Sequence, residues 1–173
     1  MDAKTALLTR RSVRSYRSDP IPRDVLDRIL TAGTYAPSGM NRQSAIILAV
    51  TDKRIRDQLS QINARVMGAE GKDPFYGAPV VLVVLARKDM PTYLYDGSLV
   101  MGNLMLAAHT EGVASCWIHR ARETFQTEEG KALLKSLGIE GEYEGIGNCI
   151  LGYTDEPLPE ARPRKENYIY YLD

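Results

Sequence analysis

The chain has no excess of either charge, almost no cysteine and no long uninterrupted apolar run. Its 22 basic residues are matched by 22 acidic ones. A nucleic-acid surface or an anionic membrane calls for a basic face, so neither is an expected partner, and a small molecule is. The only cysteines, Cys116 and Cys149, stand in no CxxC or other metal-ligand spacing. That excludes a disulfide framework and structural zinc and makes a reducing cytoplasm the expected location. No stretch approaches the roughly 18 apolar residues of a membrane span. The charged opening, residues 1–14, has no apolar segment behind it, so no signal peptide is expected. With 173 residues, the chain has the length of one ordinary domain.

Within that frame, the hydrophobic pattern alternates irregularly between strand and helix. Pro22, Asp24 in the first turn, the apolar face Val25, Leu26, Ile29 and Leu30, and Gly33 at the exit describe an amphipathic helix. Residues 45–50 form a compact apolar run suited to a buried strand. Asp52 then caps a helix carrying Ile55, Leu59, Ile62 and Val66. Residues 80–86 are apolar without alternation, as in a central strand covered on both faces. Residues 96–112 are nearly uncharged and predict a helix buried all round, in a core or a subunit interface. A short strand at 115–119, a helix at 127–137, a strand at 147–153 and a possible last strand at 168–171 complete the order. The whole predicts an α+β sandwich, one sheet with helices on both faces. Residues 155–166, rich in proline and charge, read as a linker-like arm.

Three segments could carry chemistry. Arg10, Arg11, Ser12 and Arg14 place three guanidinium groups and a hydroxyl within five residues, a pattern able to clamp phosphate and equally able to be a solvated basic turn. Residues 36–43 supply hydroxyl, amide and backbone groups in a turn between a helix and a strand, where they could cover a flat ligand or simply connect. Arg162, Arg164 and Lys165 form a second basic cluster that could converge with the first on one anion or lie exposed. Other chemistry finds less support. The Gly145–Gly147 region lacks the third glycine of a dinucleotide fingerprint, and no P-loop is present. His109 and His119 have no partners at metal spacing, so both read as structural and no metal is expected. Cys116 has no identifiable base, so no catalytic side chain is expected there.

Taken in order, these segments resemble the nitroreductase family. The motifs are RRSVR followed by Tyr16, APSGxNxQ from Ala36 to Gln43, and FYGAPVVLVV from Phe75. A DG…NLxLAA helix from Asp96, SCWI at 115–118, ILGY at 150–153 and RPRK at 162–165 follow. The resemblance implies a three-layer sandwich, a central mostly antiparallel sheet flanked by helices, in an intertwined homodimer. One FMN-binding domain would span 1–173, with 155–173 as an arm on the partner subunit. It implies that Arg10, Arg11 and Ser12 hold the phosphate and ribityl chain, that Arg14 and Asn63 lie near the pyrimidine, and that Pro37, Ser38, Gly39 and Asn41 come from the partner. Backbone groups at Cys116, Trp117 and Ile118 would approach the reactive edge, and Arg162 and Arg164, or Lys165, would close on the phosphate. The implied activity is a ping-pong transfer of two electrons by hydride from NADH or NADPH through FMN to a nitroaromatic, quinone or related acceptor. The alternatives are a flavin-storing protein and a relative that fragments its own flavin.

Overall fold

A computed structural model of the chain describes residues 1–172. The elements follow in the order α1 (Ala3–Thr9), α2 (Arg23–Thr34), β1 (Ala45–Val50), α3 (Lys53–Val66), β2 (Val80–Arg87), α4 (Tyr93–Thr110), β3 (Ala114–Ile118), α5 (Ala121–Gln126), α6 (Glu128–Ser136) and β4 (Tyr143–Gly152). Local chemistry sets several boundaries. The Asp2, Asp52 and Thr127 side chains cap α1, α3 and α6 by accepting backbone N–H bonds, which pairs donors that a helix start leaves free.

The four strands form one antiparallel sheet in the order β1-β2-β4-β3. Residues 80–86 of β2 are buried without exception. Val80, Leu82 and Val84 point into a core shared with Leu26 and Ile29 of α2 and Met101 and Leu104 of α4. Val81, Val83 and Leu85 point the other way, to Leu59 of α3, Phe125 of α5 and Leu134 of α6. Helices on both faces therefore account for the missing polar alternation, and the α+β three-layer expectation holds.

One irregularity sits between β2 and β4. Val84 pairs with Gly147 and Leu85 with Gly145, so Ile146 is the extra residue of a bulge. It packs onto α4 at Gly97, where an added Cβ would lie 2.5 Å from Ile146 Cγ1. Gly145 lies against the backbone of Ala121 and Arg122 in the same tight region. The β-bulge thus needs small residues on both sides.

Several expectations change. β1 is an edge strand and mostly half-exposed, because among the described residues only β2 pairs with it. α4 begins at Tyr93 and is buried on one side only; Leu94, Tyr95 and Leu99 remain exposed, since the sheet covers a single face. β4 starts at Tyr143, four residues earlier than its glycines suggest. α5 is an additional short helix, too brief to leave a periodic signature. Residues 168–171 form no strand; they are exposed and pair with no sheet edge. Among the described residues no helix is long and apolar enough to cross a membrane.

Gly145→Ala is expected to lower unfolding stability by about 1–3 kcal/mol, because the new methyl meets main chain that cannot rotate away. The midpoint of urea unfolding measures it, and an unchanged midpoint would contradict this packing.

Candidate functional site

α1 delivers the first basic cluster directly to the edge of the sheet. Ser12 makes a parallel bridge to Ser115 of β3, and Val13 N–H donates to Ser115 O at 3.1 Å. In an antiparallel ladder the backbone groups of successive residues turn alternately toward and away from the neighbouring strand. Ser115 faces the Ser12 segment, so Trp117 and His119 present their N–H groups on that same outer side, past the end of the short pairing. Neither N–H has a backbone acceptor outside the strand ladders among the described residues. Arg11 Nη1 donates to Leu8 O at 2.9 Å and to Arg10 O at 2.7 Å, which leaves Nε unused. Arg10 Nη1, Arg11 Nε and Ser115 Oγ are all buried without a partner. Unpaired buried donors are costly, and three of them flank one bridge. Arg14 is exposed, as the far member of the cluster.

His109, near the end of α4, reaches the same cluster. Its Nε2 lies 2.8 Å from Thr9 Oγ1, and that hydroxyl donates to Thr5 O at 2.7 Å. Nε2 must therefore carry the proton. Burial and then the charges of Arg10 and Arg11 hold the His109 pKa below its ordinary value, so the ring stays neutral beside the guanidinium groups.

The 36–43 loop is held from below by one carboxylate. Asp96 of α4, 3% exposed, accepts from Gly39 N–H at 2.9 Å, Ser44 Oγ at 2.7 Å and Thr92 Oγ1 at 3.0 Å. Burial pushes its pKa up, but the bonds from Ser44, Gly39 and Thr92 outweigh that and keep it below the usual carboxylate range. Gly39 packs so closely on Thr92 that any side chain there would collide with it. Met40, Asn41 and Gln43 all have φ near +50°, a region costly for residues other than glycine. This backbone is maintained by its ties, including Gln43 N–H to Ser38 Oγ at 3.0 Å. Pro37 and Asn41 are exposed and Ser38 is half-buried. A cavity of about 440 Å³ lies between this loop, α2 and β1, lined by Pro37, Ser38, Ile47 and Asp96. Asp96 has a role that sequence reading missed, because a lone acid in an apolar helix gives no sign of what it will hold.

The remaining candidates are not gathered within one chain. Cys116 is 1% exposed with its side chain in the α3-side core, and Trp117 and Ile118 are half-buried. Cys149 is fully interior, and burial pushes its thiol up to about 12. Asn63 is 0% exposed and donates to His119 O at 2.9 Å, so its amide faces the interior. Arg162, Arg164 and Lys165 lie on the exposed arm; Arg164 Nη2 donates to Arg162 O, and no hydrogen bond or ion pair joins them to Arg10, Arg11 or Arg14. A cavity of about 960 Å³ between α3 and the 70–80 segment contains none of the expected site residues. Each nitrogen of its buried Arg56 guanidinium is engaged, by Ala78 O, Asp57 and Asp73. Asp73, which burial alone would raise, is held at about 2 by Arg56, Ser60 and the Gly77 and Phe75 amides. That network braces the 67–79 segment and commits Arg56 and Asp73 to each other. No cluster of metal-ligating side chains occurs among the described residues.

Fold and site together describe an α+β protein with a cluster of arginines at the edge of its sheet. The chain belongs to the Nitroreductase family, whose model matches residues 7–156. It is 30% identical over 173 residues to a putative NADH dehydrogenase/NAD(P)H nitroreductase of Archaeoglobus fulgidus, covering 96% of this chain and 88% of that one. A protein of the same description from Methanothermobacter thermautotrophicus is 28% identical over 121 residues; the match spans 68% of this chain and 60% of the relative's length. Among solved structures, a Bacteroides fragilis nitroreductase with bound FMN superimposes with a TM-score of 0.90 at 29% identity, covering 100% of both chains.

Asp96→Ala strands the Gly39 N–H and the Ser44 hydroxyl and is expected to cost about 1–3 kcal/mol. The folded pKa of Asp96 is lowered, so its contribution is present above the unfolded value of about 4 and is lost as pH falls through the folded pKa. Thermal melting of variant and parent should differ at pH 7 and converge in acid; a pH-independent difference would contradict the ionised, triply bonded carboxylate.

Proposed function

We propose that this chain binds FMN at a homodimer interface and acts as an NAD(P)H-dependent oxidoreductase on small acceptors such as nitroaromatics or quinones. The observation that carries the reading is the bridge between Ser12 and Ser115. It joins buried, unpartnered guanidinium donors to a strand edge whose Trp117 and His119 N–H groups have no backbone acceptor beyond the strand ladders. A phosphate monoester with a flat ring attached fits such a donor set: the anion satisfies the arginines, and the ring's polar edge takes the strand N–H groups.

On this reading Arg10, Arg11 and Ser12 hold the phosphate and ribityl chain, and the backbone at Cys116, Trp117 and Ile118 borders the reactive edge. When bound, FMN supplies two-electron chemistry, accepting hydride from a nicotinamide and passing it to the acceptor. Arg14 supplies a fixed cation for the negative charge that reduction places on the pyrimidine side. Neutral His109 keeps Thr9 and the end of α1 in place without competing for the anion. No acid–base pair is required of the protein, which suits a site without one.

A second copy completes the site. Leu7 and Leu8 on α1, Leu94, Tyr95 and Leu99 on α4, and Tyr35 and Met40 beside the loop are exposed in the single chain, and exposed apolar surface of this kind is normally covered. The loop residues Pro37, Ser38, Gly39 and Asn41 then reach the flavin of the partner. Residues 155–173 extend as an arm that carries Arg162, Arg164 and Lys165 across to the phosphate, and its aromatic end finds a sheet edge such as β1. The whole chain, 1–173, works as one flavin-binding unit.

Purified protein is expected to be yellow, to release FMN on heating and to bleach when NADH or NADPH is added without oxygen. A protein that stays colourless with excess FMN would sink the reading, and one that binds FMN but oxidises no NAD(P)H would favour storage. Replacing Arg10 and Arg11 together by alanine should weaken FMN binding by a factor of ten or more, since each charged hydrogen bond is worth about 1.5–3 kcal/mol. Removal of residues 155–173 should lower FMN affinity and shift sedimentation toward the monomer.

A further inference from the structure

Asn63 on α3 and Asn148 on β4 have no exposed surface, each at 0%. They come from different elements and converge on one peptide carbonyl. Asn63 Nδ2 donates to His119 O at 2.9 Å, and Asn148 Nδ2 lies 3.4 Å from both His119 O and Ile118 O. Each amide keeps its Oδ1 buried without a partner. Burying an amide with only half its bonding capacity met is unfavourable compared with an aliphatic side chain at the same place. The two amides are thus hard to explain as core filling.

What they hold is the end of β3. Arg120, the next residue, has φ +77°, so the chain turns sharply at His119 through a conformation that needs support. Two peptide groups are affected. The Ile118 carbonyl shares its peptide with the His119 N–H, and the His119 carbonyl shares its peptide with the Arg120 N–H. A hydrogen bond to the carbonyl fixes the peptide plane and polarises the N–H at its other end.

We propose that Asn63 and Asn148 are positioning residues for the flavin's reactive edge, holding the 118–120 turn so that the His119 N–H stays aimed outward from β3. The inference rests on the FMN reading above. It gives Asn63 an interior role in place of the direct contact with the pyrimidine that the family resemblance implies, and it adds Asn148, which no motif marks.

The test uses the full-length holoprotein. Asn63→Ala and Asn148→Ala are each expected to lower kcat for anaerobic reduction by NADH roughly tenfold, the effect of about 1.4 kcal/mol in a transition state, with KM unchanged. The midpoint potential of bound FMN should become more negative, because a donor to the reduced ring is misaligned. Asn148→Asp provides a rescue arm. A buried carboxyl has a raised pKa, and its protonated form can donate to the carbonyl where the ionised form cannot. Its kcat should recover toward acid pH relative to the parent measured at the same pH.

Alanine variants that retain FMN, kcat and potential overturn the proposal, and so does a lowered melting temperature with kcat and potential unchanged. If neither alanine variant folds, the aspartate variant decides, and a relative kcat that is flat with pH overturns it. A parent protein that takes up no FMN overturns the flavin reading and this inference together; a yellow parent with unaffected variants overturns this inference alone.

Discussion

β2 offers water nothing on either face, and that constraint sets the architecture. Each of its valines and leucines gains about 1.5–3 kcal/mol from burial, but only if helices cover both sides of the sheet. α2 and α4 close one side, and α3, α5 and α6 close the other. With β2 and β4 committed to the centre, β1 and β3 become the edges. Edges are where backbone groups remain available, so the packing of the core decides where a ligand can find hydrogen bonds.

The two edges are treated differently. β3 is partly closed by the Ser12 segment, which brings the arginine cluster to within a few residues of open N–H groups. β1 is left bare along its outer side. An unprotected strand edge is a liability for a solitary chain. The same division explains the uneven strain. Four of the six positive φ values outside glycine, those of Met40, Asn41, Gln43 and Arg120, fall in the two segments that border the edges, with Asp96 holding the loop and Asn63 and Asn148 the end of β3; Tyr76 and Asn167 lie elsewhere.

Part of the polar burial in this protein serves the borders of the sheet. Asp96, Asn63 and Asn148 lie in otherwise apolar surroundings, and each fixes backbone that borders the candidate site. Arg56 and Asp73 do the same for the 67–79 segment, whose Phe75 and Ala78 also pack into the core.

Much of this was legible in the residues themselves. The unbroken apolar run of β2, the capped periodicity of α3 and the amphipathic α2 announced a two-sided sheet, because period and burial are local properties of a chain. The RRSVR cluster and the 36–43 turn stood out as candidates for the same reason. Other features depended on contacts between segments far apart in sequence. Nothing in the local pattern distinguishes β1 as an edge, reveals the Ile146 bulge, or shows that Asp96 will anchor Gly39 57 positions away. The uncharged stretch of α4 implied burial all round, yet within the chain only one side of it is covered, and which side that is was settled only when the sheet existed. Sequence alone determined the layers and the chemical character of the site, since side-chain hydrophobicity and charge travel with the residue. Tertiary structure alone decided which backbone groups stay unpaired and which buried side chains hold them, because hydrogen bonds are satisfied or left open only once the strands have chosen their neighbours.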